Sequence, residues 1–424
     1  MPGFPGYAAD GMIACPACDC LHRIVPVPAR GCATCSRCET LLYRPMPKSL
    51  DHSTALYLAA LMLFVIANVF PFITLQYGDR IEVSRLISGG FALHQAGMTE
   101  IGVLVFLTSV LFPFLTLAGM IYLLLPARLG MELPGRVIVW RGVRAMNPWS
   151  LVGVFMLGLL VSVVKLQDMA TIVPGVAFYA FVGLLLVSAA AVASFDPAVL
   201  WPRVGPLPAQ ELPPDSGAAA QGYVTCPTCD LLVALPAQGQ SRCPRCATAL
   251  RGLQPAASLN RTWALLATAT LLLVPANLYP VMTITRLGMG EPNTILSGVM
   301  HLIHDGAWPL GLLVLFASFV VPISKIVALA FLLVSVQRGS VARLRDRTRI
   351  YHLTEVVGAW SMVDIFLVGI LVALVRMDGV ATVIPGLGAS FFGAAVVVTI
   401  MAAHAFDPRL IWLPAQAASR RRAA

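Results

Sequence analysis

Ten cysteines, all the cysteines of the chain, form two clusters whose spacing could bind metal. Each cluster contains two Cys-x-x-Cys pairs, separated by 16 residues in the first cluster and by 13 in the second. Two such pairs supply four thiolates at the tetrahedral spacing of a zinc ribbon. The sequence therefore predicts two structural Zn2+ sites. Their expected ligands are Cys15, Cys18, Cys35 and Cys38 in the first cluster and Cys226, Cys229, Cys243 and Cys246 in the second.

Cys20 and Cys32 lie within the first cluster and have no counterpart in the second. They either take no part in metal binding or compete for the first metal, and both interpretations stay open at this point. The clusters could instead form disulfides or a redox relay. The charge distribution described below places both clusters in the reducing cytoplasm, which disfavours structural disulfides. Structural zinc is the preferred interpretation, with redox sensing, an iron site or no metal as alternatives.

A second set of candidate residues carries charge inside apolar sequence. Lys325 lies in the apolar run 310–336, roughly 22 Å from one end and roughly 18 Å from the other at the rise of an α-helix. A charge at that depth in a membrane needs a partner. Asp364 lies at a similar depth in the next run, 358–376, and antiparallel helices could bring the two charges together.

Three hydroxyl residues could join this pair of charges. Ser318 stands seven residues before Lys325 on the same stripe of one helix, and Ser361 stands three residues before Asp364 on the next. Thr399 lies in the last apolar run. We predict that these five side chains form a polar site for a ligand headgroup or a proton. The alternative is a buried ion pair that only fixes helix packing.

Composition gives the class of protein. Of the 424 residues, 58% are hydrophobic and 12% are charged, and the mean hydropathy is +0.82. A soluble domain would carry about a quarter charged residues, so the chain is expected to be an integral membrane protein. No cleavable signal peptide is predicted at the N-terminus. Phosphate-binding loops, nucleophile elbows and His-Glu-x-x-His helices are absent from the sequence, so no enzyme activity is predicted.

Eight apolar runs can be read as transmembrane helices: 55–75, 101–125, 149–165, 176–195, 262–284, 310–336, 358–376 and 387–406. The segments on one side of these runs hold 23 of the Lys and Arg residues, and the loops on the other side hold five. The positive-inside rule then predicts that both termini and both cysteine clusters are cytoplasmic. The net charge of +9 follows from this orientation and needs no nucleic-acid partner.

The order of features repeats along the chain. Ala-Asn-x-x-Pro at 67–71 recurs at 276–280, and Phe-Asp-Pro at 195–197 recurs at 406–408. We therefore predict an all-α polytopic membrane protein of two tandem repeats, each a small cytoplasmic zinc ribbon followed by four transmembrane helices. The predicted domains are a first ribbon at 1–50, a first transmembrane domain at 51–200, a linker at 201–222, a second ribbon at 223–254, a second transmembrane domain at 255–412 and a basic tail at 413–424.

The two copies differ in charge. At the positions equivalent to Lys325 and Asp364, the first copy has Thr116 and Gly153. A purely architectural ion pair would be expected in both copies. The asymmetry therefore favours a specialised second copy.

Two ribbons of the Cys-Pro-x-Cys type, each followed by four helices, resemble the paraquat-inducible protein A (PqiA/LetA) family, as do the Asn-x-x-Pro and Phe-Asp-Pro elements of both halves and Trp-Ser-Met-x-Asp-x-Phe in the second half. The sequence departs from that pattern in having six cysteines in its first cluster and Ser36 in one knuckle. The resemblance implies a bacterial inner-membrane protein that works with a periplasmic MCE-domain tunnel protein. It also implies that the cargo is phospholipid or a similar lipid.

Three functional hypotheses follow. The first is a lipid transporter or lipid-loading protein whose site contains Lys325. The second is a membrane-bound stress or redox sensor that acts through the cysteine clusters. The third is a scaffold that anchors the MCE partner, with the charged pair purely structural.

Overall fold

The fold is mostly helical, and it also contains two cysteine-rich modules and, outside them, two small sheets. The computed structural model describes residues 11–25, 27–28, 31–44, 46, 48–77, 80–95, 97–131, 134–166, 171–201, 215–235, 240–286, 289–304, 306, 308–363, 365–367, 370, 376–377 and 381–416. Along these residues the order of module, sheet and helices occurs twice, which is a repeat-like arrangement.

The first cysteine module, residues 11–44, consists of two short hairpins, each closing on one Cys-x-x-Cys pair. The hairpins pair β1 (Met12–Ala14) with β2 (Leu21–Arg23) and β3 (Ala33–Thr34) with β4 (Leu41–Tyr43). In each hairpin the amide of the first cysteine donates across the turn, as from Cys15 N to Cys20 O at 2.9 Å. Strands this short bury little apolar surface, so a module of this size needs a further source of stability such as metal.

The first helical half, residues 49–201, follows this module. Its helices are α1 (Ser49–Val69), α2 (Ser88–Gln95), α3 (Thr99–Phe106), α4 (Phe112–Leu129), α5 (Arg136–Met146), α6 (Val152–Leu166) and α7 (Val176–Ser194). Strands β5 (Ile73–Tyr77), β6 (Arg80–Ser84) and β7 (Thr171–Pro174) form an antiparallel sheet in the order β6-β5-β7. Helix α1 packs along α7, and the Ser49 hydroxyl donates to Ser194 O at 2.9 Å where α1 begins and α7 ends.

The second cysteine module, residues 223–251, and the second helical half, residues 255–416, follow in the same order. The module contains β8 (Tyr223–Thr225), β9 (Leu232–Ala234), β10 (Gln240–Arg242) and β11 (Ala249–Arg251). The half contains α8 (Pro255–Leu278), β12 (Met282–Arg286), β13 (Met289–Asn293), α9 (Ile295–His304), α10 (Trp308–Leu315), α11 (Val321–Gln337), α12 (Leu344–Gly358), β14 (Arg376–Met377), β15 (Ala381–Pro385) and α13 (Leu387–Ala405). Its sheet has the order β13-β12-β15-β14. The Ser258 hydroxyl donates to Ala405 O at 2.8 Å, as Ser49 does in the first half.

Seven helical segments among the described residues are long and apolar enough to cross a membrane: Ser49–Val69, Thr99–Leu129, Arg136–Ser162, Val176–Ser194, Pro255–Leu278, Gly311–Gln337 and Leu387–Ala405. They overlap seven of the eight predicted runs. The eighth, 358–376, includes positions 364, 368–369 and 371–375, which lie outside the described residues. The chain is thus a multi-pass membrane protein, as its composition predicts.

The two sheets correct the all-α prediction. The predicted runs 55–75 and 262–284 extend past the ends of α1 and α8, because apolar strands follow the helices directly. Helix α1 stops at Val69, where Phe70 turns to an extended conformation with φ −82° and ψ 162°. Near this end the Asn68 amide donates to Phe64 O at 2.8 Å, and Pro71 cannot continue the helical hydrogen bonds. Hydrophobicity alone does not mark this change from helix to strand.

The cysteine modules are exchanged between the halves. The first module packs on the second half, where Arg349 of α12 binds Glu39 at 2.7 Å and the Gln416 amide donates to Cys18 O at 3.2 Å. The second module packs on the first half, where the Trp140 indole donates to Thr228 O at 2.7 Å. Each module therefore precedes one helical half in the chain and contacts the other.

Apolar packing follows the same exchange. Cysteines of the first module share a buried cluster with Leu329 and Leu333 of α11 and with Trp412. Cysteines of the second module share a buried cluster with Trp140 and Val143 of α5. Burial of these side chains makes each module part of the core of the opposite half, which stabilises the exchanged arrangement more than the exposed ion pairs do.

The ion pairs of this interface give a test of the exchange. Because Glu39 lies between Arg345 and Arg349, with N–O distances of 3.4 and 2.7 Å, Glu39→Arg should place like charges together and cost about 1 kcal/mol. Adding Arg349→Glu should recover part of that loss. Thermal unfolding and hydrogen exchange of the first module would measure both effects, with Glu39→Gln as the neutral control. The exchange would be contradicted if Glu39→Arg destabilised the second module as much as the first, or if adding Arg349→Glu restored no stability.

Candidate functional site

The predicted metal ligands of the first cluster come together. Cys15, Cys18, Cys35 and Cys38 are all buried, and their sulfur atoms lie within 4.8 Å of one another. The Sγ atoms of Cys15 and Cys38 are 3.4 Å apart, and those of Cys18 and Cys35 are 3.5 Å apart. The residue after each pair, Asp19 or Glu39, has a positive φ of 60° or 65°, which closes the knuckle.

The second cluster has the same geometry. The Sγ atoms of Cys226 and Cys246 are 3.4 Å apart, and those of Cys229 and Cys243 are 3.5 Å apart. All four cysteines are buried and lie within 4.8 Å of one another. The hydrogen bond with Cys229 lowers the pKa of Cys226, which favours the thiolate form of this sulfur. A thiolate is the form that binds metal.

These two centres fit a tetrahedral metal with four sulfur ligands. A Zn–S bond of about 2.3 Å places tetrahedral sulfurs about 3.8 Å apart, close to the observed separations. All ten cysteines are free of disulfide bonds in the structure, so every thiol of the two clusters is available as a ligand. Each cluster could therefore hold a metal ion, and the all-thiolate donor set is consistent with zinc.

The two remaining cysteines differ from each other. Cys20 is buried beside the first cluster, and Cys32 is exposed. His22, which sequence reasoning missed, brings its Nε2 to 3.1 Å from Cys35 Sγ. The spacing of Cys20 and His22 could have shown it, because residues two apart on a strand point to the same face.

Lys325 of α11 is the centre of the predicted polar site. Its side chain is 1% exposed. The ammonium Nζ donates to Thr399 Oγ1 on α13 at 3.2 Å and reaches Gly358 O at the end of α12 at 3.5 Å. The structure thus brings together Lys325, Thr399 and the Gly358 carbonyl. An ammonium has three donor hydrogens, and these two acceptors are both uncharged.

Gly358 makes room for the lysine. A Cβ atom at this position would lie 3.2 Å from Lys325 Nζ and 3.5 Å from its Cε. Sequence reasoning missed this residue, because the contact depends on how α11 and α12 pack. The absence of a side chain lets the ammonium reach the backbone carbonyl.

Ser318 is buried, but its hydroxyl is already bonded within its own helix. It donates to Val314 O at 2.6 Å, and the equivalent Ser109 of the first half donates to Val105 O at 2.7 Å. Both serines lie in π-helical turns, at Phe316–Val320 and Leu107–Leu111, that precede a proline. The shared geometry indicates a structural role for this hydroxyl at the turn.

Ser361 is buried in the turn Ala359–Met362 that follows α12. Its hydroxyl has no hydrogen-bond partner among the described residues. A buried hydroxyl without a hydrogen-bond partner costs free energy. A hydrogen bond to a ligand or to another side chain would remove that cost. Asp364, the predicted counter-charge of Lys325, lies outside the described residues, and its pairing stays a prediction.

The arrangement suits an anion or a polar headgroup. Among the described residues the acceptors of this ammonium are uncharged, and a positive charge in apolar surroundings attracts an anion strongly. At the equivalent first-half position, the buried Thr116 hydroxyl has no partner among the described residues and carries no charge. Only the second half therefore shows this cationic site among the residues that the structure describes.

Comparison with known proteins gives a family match. The sequence model described as paraquat-inducible protein A matches the chain in two places, residues 50–205 and 259–416. These two segments coincide with the two helical halves. No solved structure gives a significant match.

Curated relatives match along nearly their full length. Intermembrane transport protein PqiA of Escherichia coli K12 is 33% identical over 94% of this chain and 95% of its own. Lipophilic envelope-spanning tunnel protein A of the same organism is 30% identical over 94% of this chain and 90% of its own. A probable intermembrane transport protein of Haemophilus influenzae is 28% identical over 95% of both chains.

Loss of one thiolate should remove one metal ion per chain. We expect Cys229→Ser to lower the metal content by one equivalent and to loosen the contact of Thr228 and Asp230 with α5, because the knuckle that places them loses its metal. Elemental analysis and proteolysis of the second module would measure both. Cys32→Ser, at an exposed cysteine of the first module, is the control. Unchanged metal content in Cys229→Ser would rule out this centre.

Gly358→Ala should disturb the lysine site. The added methyl group would meet Lys325 Nζ and push it from the carbonyl, at a cost of about 1–3 kcal/mol. Thermal unfolding in detergent would measure the loss. The control is Gly393→Ala in α13, where the nearest side-chain atom to the new Cβ would be 3.5 Å away, an ordinary contact. Equal effects of the two substitutions would show that the lysine does not occupy this position.

Proposed function

This chain belongs to the paraquat-inducible protein A family, and on that premise we propose that it passes phospholipid or a similar lipid between the bacterial inner membrane and a periplasmic tunnel formed by an MCE-domain partner. The names of its relatives support this proposal, since two are intermembrane transport proteins and one is an envelope-spanning tunnel protein. Relatives named for transport also point to a role without catalysis.

The observation that carries the proposal is the buried ammonium of Lys325. A phospholipid headgroup has a phosphate, and an ammonium with uncharged acceptors is a suitable point charge for it. Thr399 already holds the ammonium at 3.2 Å, and the Ser361 hydroxyl is available to donate a hydrogen bond. In this proposal Asp364 binds the ammonium when lipid is absent and releases it when the phosphate enters. Ser318 would act indirectly, by fixing the turn that positions α11.

The asymmetry of the halves supports a division of labour. The halves share the π-helical turns, the serine that bonds within the turn and the proline that follows. They differ at Lys325, where the first half has Thr116. We propose that both halves form eight transmembrane helices in all, and that the second half alone binds the headgroup.

The distribution of basic residues predicts how the chain is oriented in the membrane. The cysteine modules lie at the helix ends where basic residues concentrate, and by the positive-inside rule this side faces the cytoplasm. The two sheets would then face the periplasm and the tunnel partner. In the cytoplasm thiolates stay reduced, so we propose that both four-cysteine centres hold Zn2+ and serve the structure of the modules.

Lipid retention tests the proposed site. Lys325→Met keeps the length of the side chain and removes the charge, so we expect about tenfold less phospholipid to stay with the purified protein, since a charge-assisted contact of at least about 1.4 kcal/mol is lost. Native mass spectrometry of the detergent-purified chain would measure the bound lipid. Thr116→Val, the equivalent change in the first half, is the matched control and should retain lipid as the unmodified chain does.

Two outcomes would reject the proposal. If Lys325→Met folds, inserts and retains lipid normally, the lysine only fixes helix packing. If Lys325→Met and Thr116→Val lose lipid equally, the loss reflects general damage to the helices. Thermal unfolding of each variant separates these cases, because only a folded Lys325→Met protein with reduced lipid supports a headgroup site.

A further inference from the structure

The first cysteine module contains more metal-binding side chains than one four-cysteine centre needs. The Sγ of Cys20, the Nε2 of His22 and the Sγ of Cys35 all lie within 4.8 Å of one another. Cys35 also belongs to the four-cysteine centre. A thiolate has enough lone pairs to bridge two cations, so this group could form a second centre that shares Cys35 with the first.

A fourth donor lies beside this group. The Cys20 sulfur is fully buried, and its contacts are long, 3.8 Å to Asp215 Oδ1 and 3.9 Å to Leu21 O. The Asp215 carboxylate thus faces Cys20 from another segment of the chain. Cysteine sulfur, histidine nitrogen and carboxylate oxygen together form a donor set that zinc accepts.

Asp215 is held in place by its neighbours. Its amide donates to Leu21 O at 3.0 Å, and Arg37 donates to its carbonyl at 2.7 Å. The Ser36 hydroxyl donates to Asp215 Oδ1 at 3.0 Å. Asp215 has a φ of 67°, a conformation that persists in a residue other than glycine when the surroundings enforce it. The carboxylate is therefore positioned beside the cysteine before any cation binds.

We propose that Cys20, His22 and Asp215, with Cys35 as a bridging thiolate, bind a second divalent cation of the zinc class next to the four-cysteine centre. The His22 Nε2 and Cys35 Sγ atoms are 3.1 Å apart, close enough for both to bind one cation. His22 is partly exposed, so this cation would exchange with solvent more readily than the buried ion of the four-cysteine centre.

The second module provides an internal comparison. Counting from the first cysteine of each module, Leu231 takes the place of Cys20 and Val233 takes the place of His22. Both replacements are apolar and cannot bind a cation. The second module therefore holds its four-cysteine centre alone, and the complete chain should bind three cations.

The position of Asp215 gives the second cation a specific effect. The segment 215–219 pairs with the first module, as Leu21 N donates to Ser216 O at 2.8 Å and Ala218 N donates to Asp19 O at 2.8 Å. This segment leads into the second module. A cation bound by Cys20, His22 and Asp215 would fasten the two modules to each other.

Metal titration of the full chain in detergent tests this inference. Protein stripped by a chelator is titrated with Co2+, whose thiolate charge-transfer absorption reports each sulfur-bound ion, and elemental analysis counts the ions. The unmodified chain should bind three equivalents. Cys20→Leu/His22→Val, which installs the residues of the second module, should bind two. The control Cys32→Ser, at an exposed cysteine of the same module, should bind three.

A second variant tests the carboxylate. Asp215→Asn should lower the affinity for the third cation by about tenfold or more and leave the affinity for the other two unchanged, because the amide carries no negative charge. Saturation of the unmodified chain at two equivalents would overturn the proposal. So would three equivalents in Cys20→Leu/His22→Val. A fall to one equivalent in that double variant would show that these residues belong to the four-cysteine centre itself, which also overturns it.

Discussion

A lysine ammonium inside apolar helices needs hydrogen-bond acceptors, and three elements of the second half meet at Lys325 to supply them. Lys325 comes from α11, its carbonyl acceptor from the end of α12 and its hydroxyl acceptor from α13. Helix α12 lacks a side chain at Gly358, where the lysine approaches. Three elements are thus tied together at one atom. A change in what this atom binds would therefore affect the positions of all three elements.

Comparison of the two helical halves separates the packing features that repeat from the features found in the second half. The π-helical turns, the serine hydroxyls that bond within them and the seams where the first and last helices of each half meet occur twice with nearly the same distances. The lysine, its glycine and its threonine acceptor form one group in the second half. In a duplicated fold, the repeated elements supply the packing that stabilises both copies. The side chains at one site can therefore differ in one copy without loss of the fold.

Sequence reasoning predicted the parts of the structure that depend on local pattern. The Cys-x-x-Cys spacing indicated both four-cysteine clusters, and the hydrophobic runs indicated the membrane segments. The strands after α1 and α8 were missed because the apolar residues 70–73 and 279–282 continue the hydrophobic runs of the helices into the first residues of the strands. His22 and Gly358 were missed because their contacts join residues that are distant in the chain. Asp364 stays a prediction. The exchange of the modules could not have been predicted, since it depends on matching surfaces such as Glu39 and Arg345, which are 306 residues apart.

That separation has a consequence for how the protein is made. The first module emerges early from the ribosome, but the α12 surface that receives it is synthesised 306 residues later than Glu39. At about 5–20 residues per second, the module waits about 15–60 seconds without its partner. During this interval only contacts within the module can hold it folded, and its docking face stays uncovered. Docking of the first module therefore has to wait for the synthesis of α12, which brings residues from opposite ends of the chain into contact.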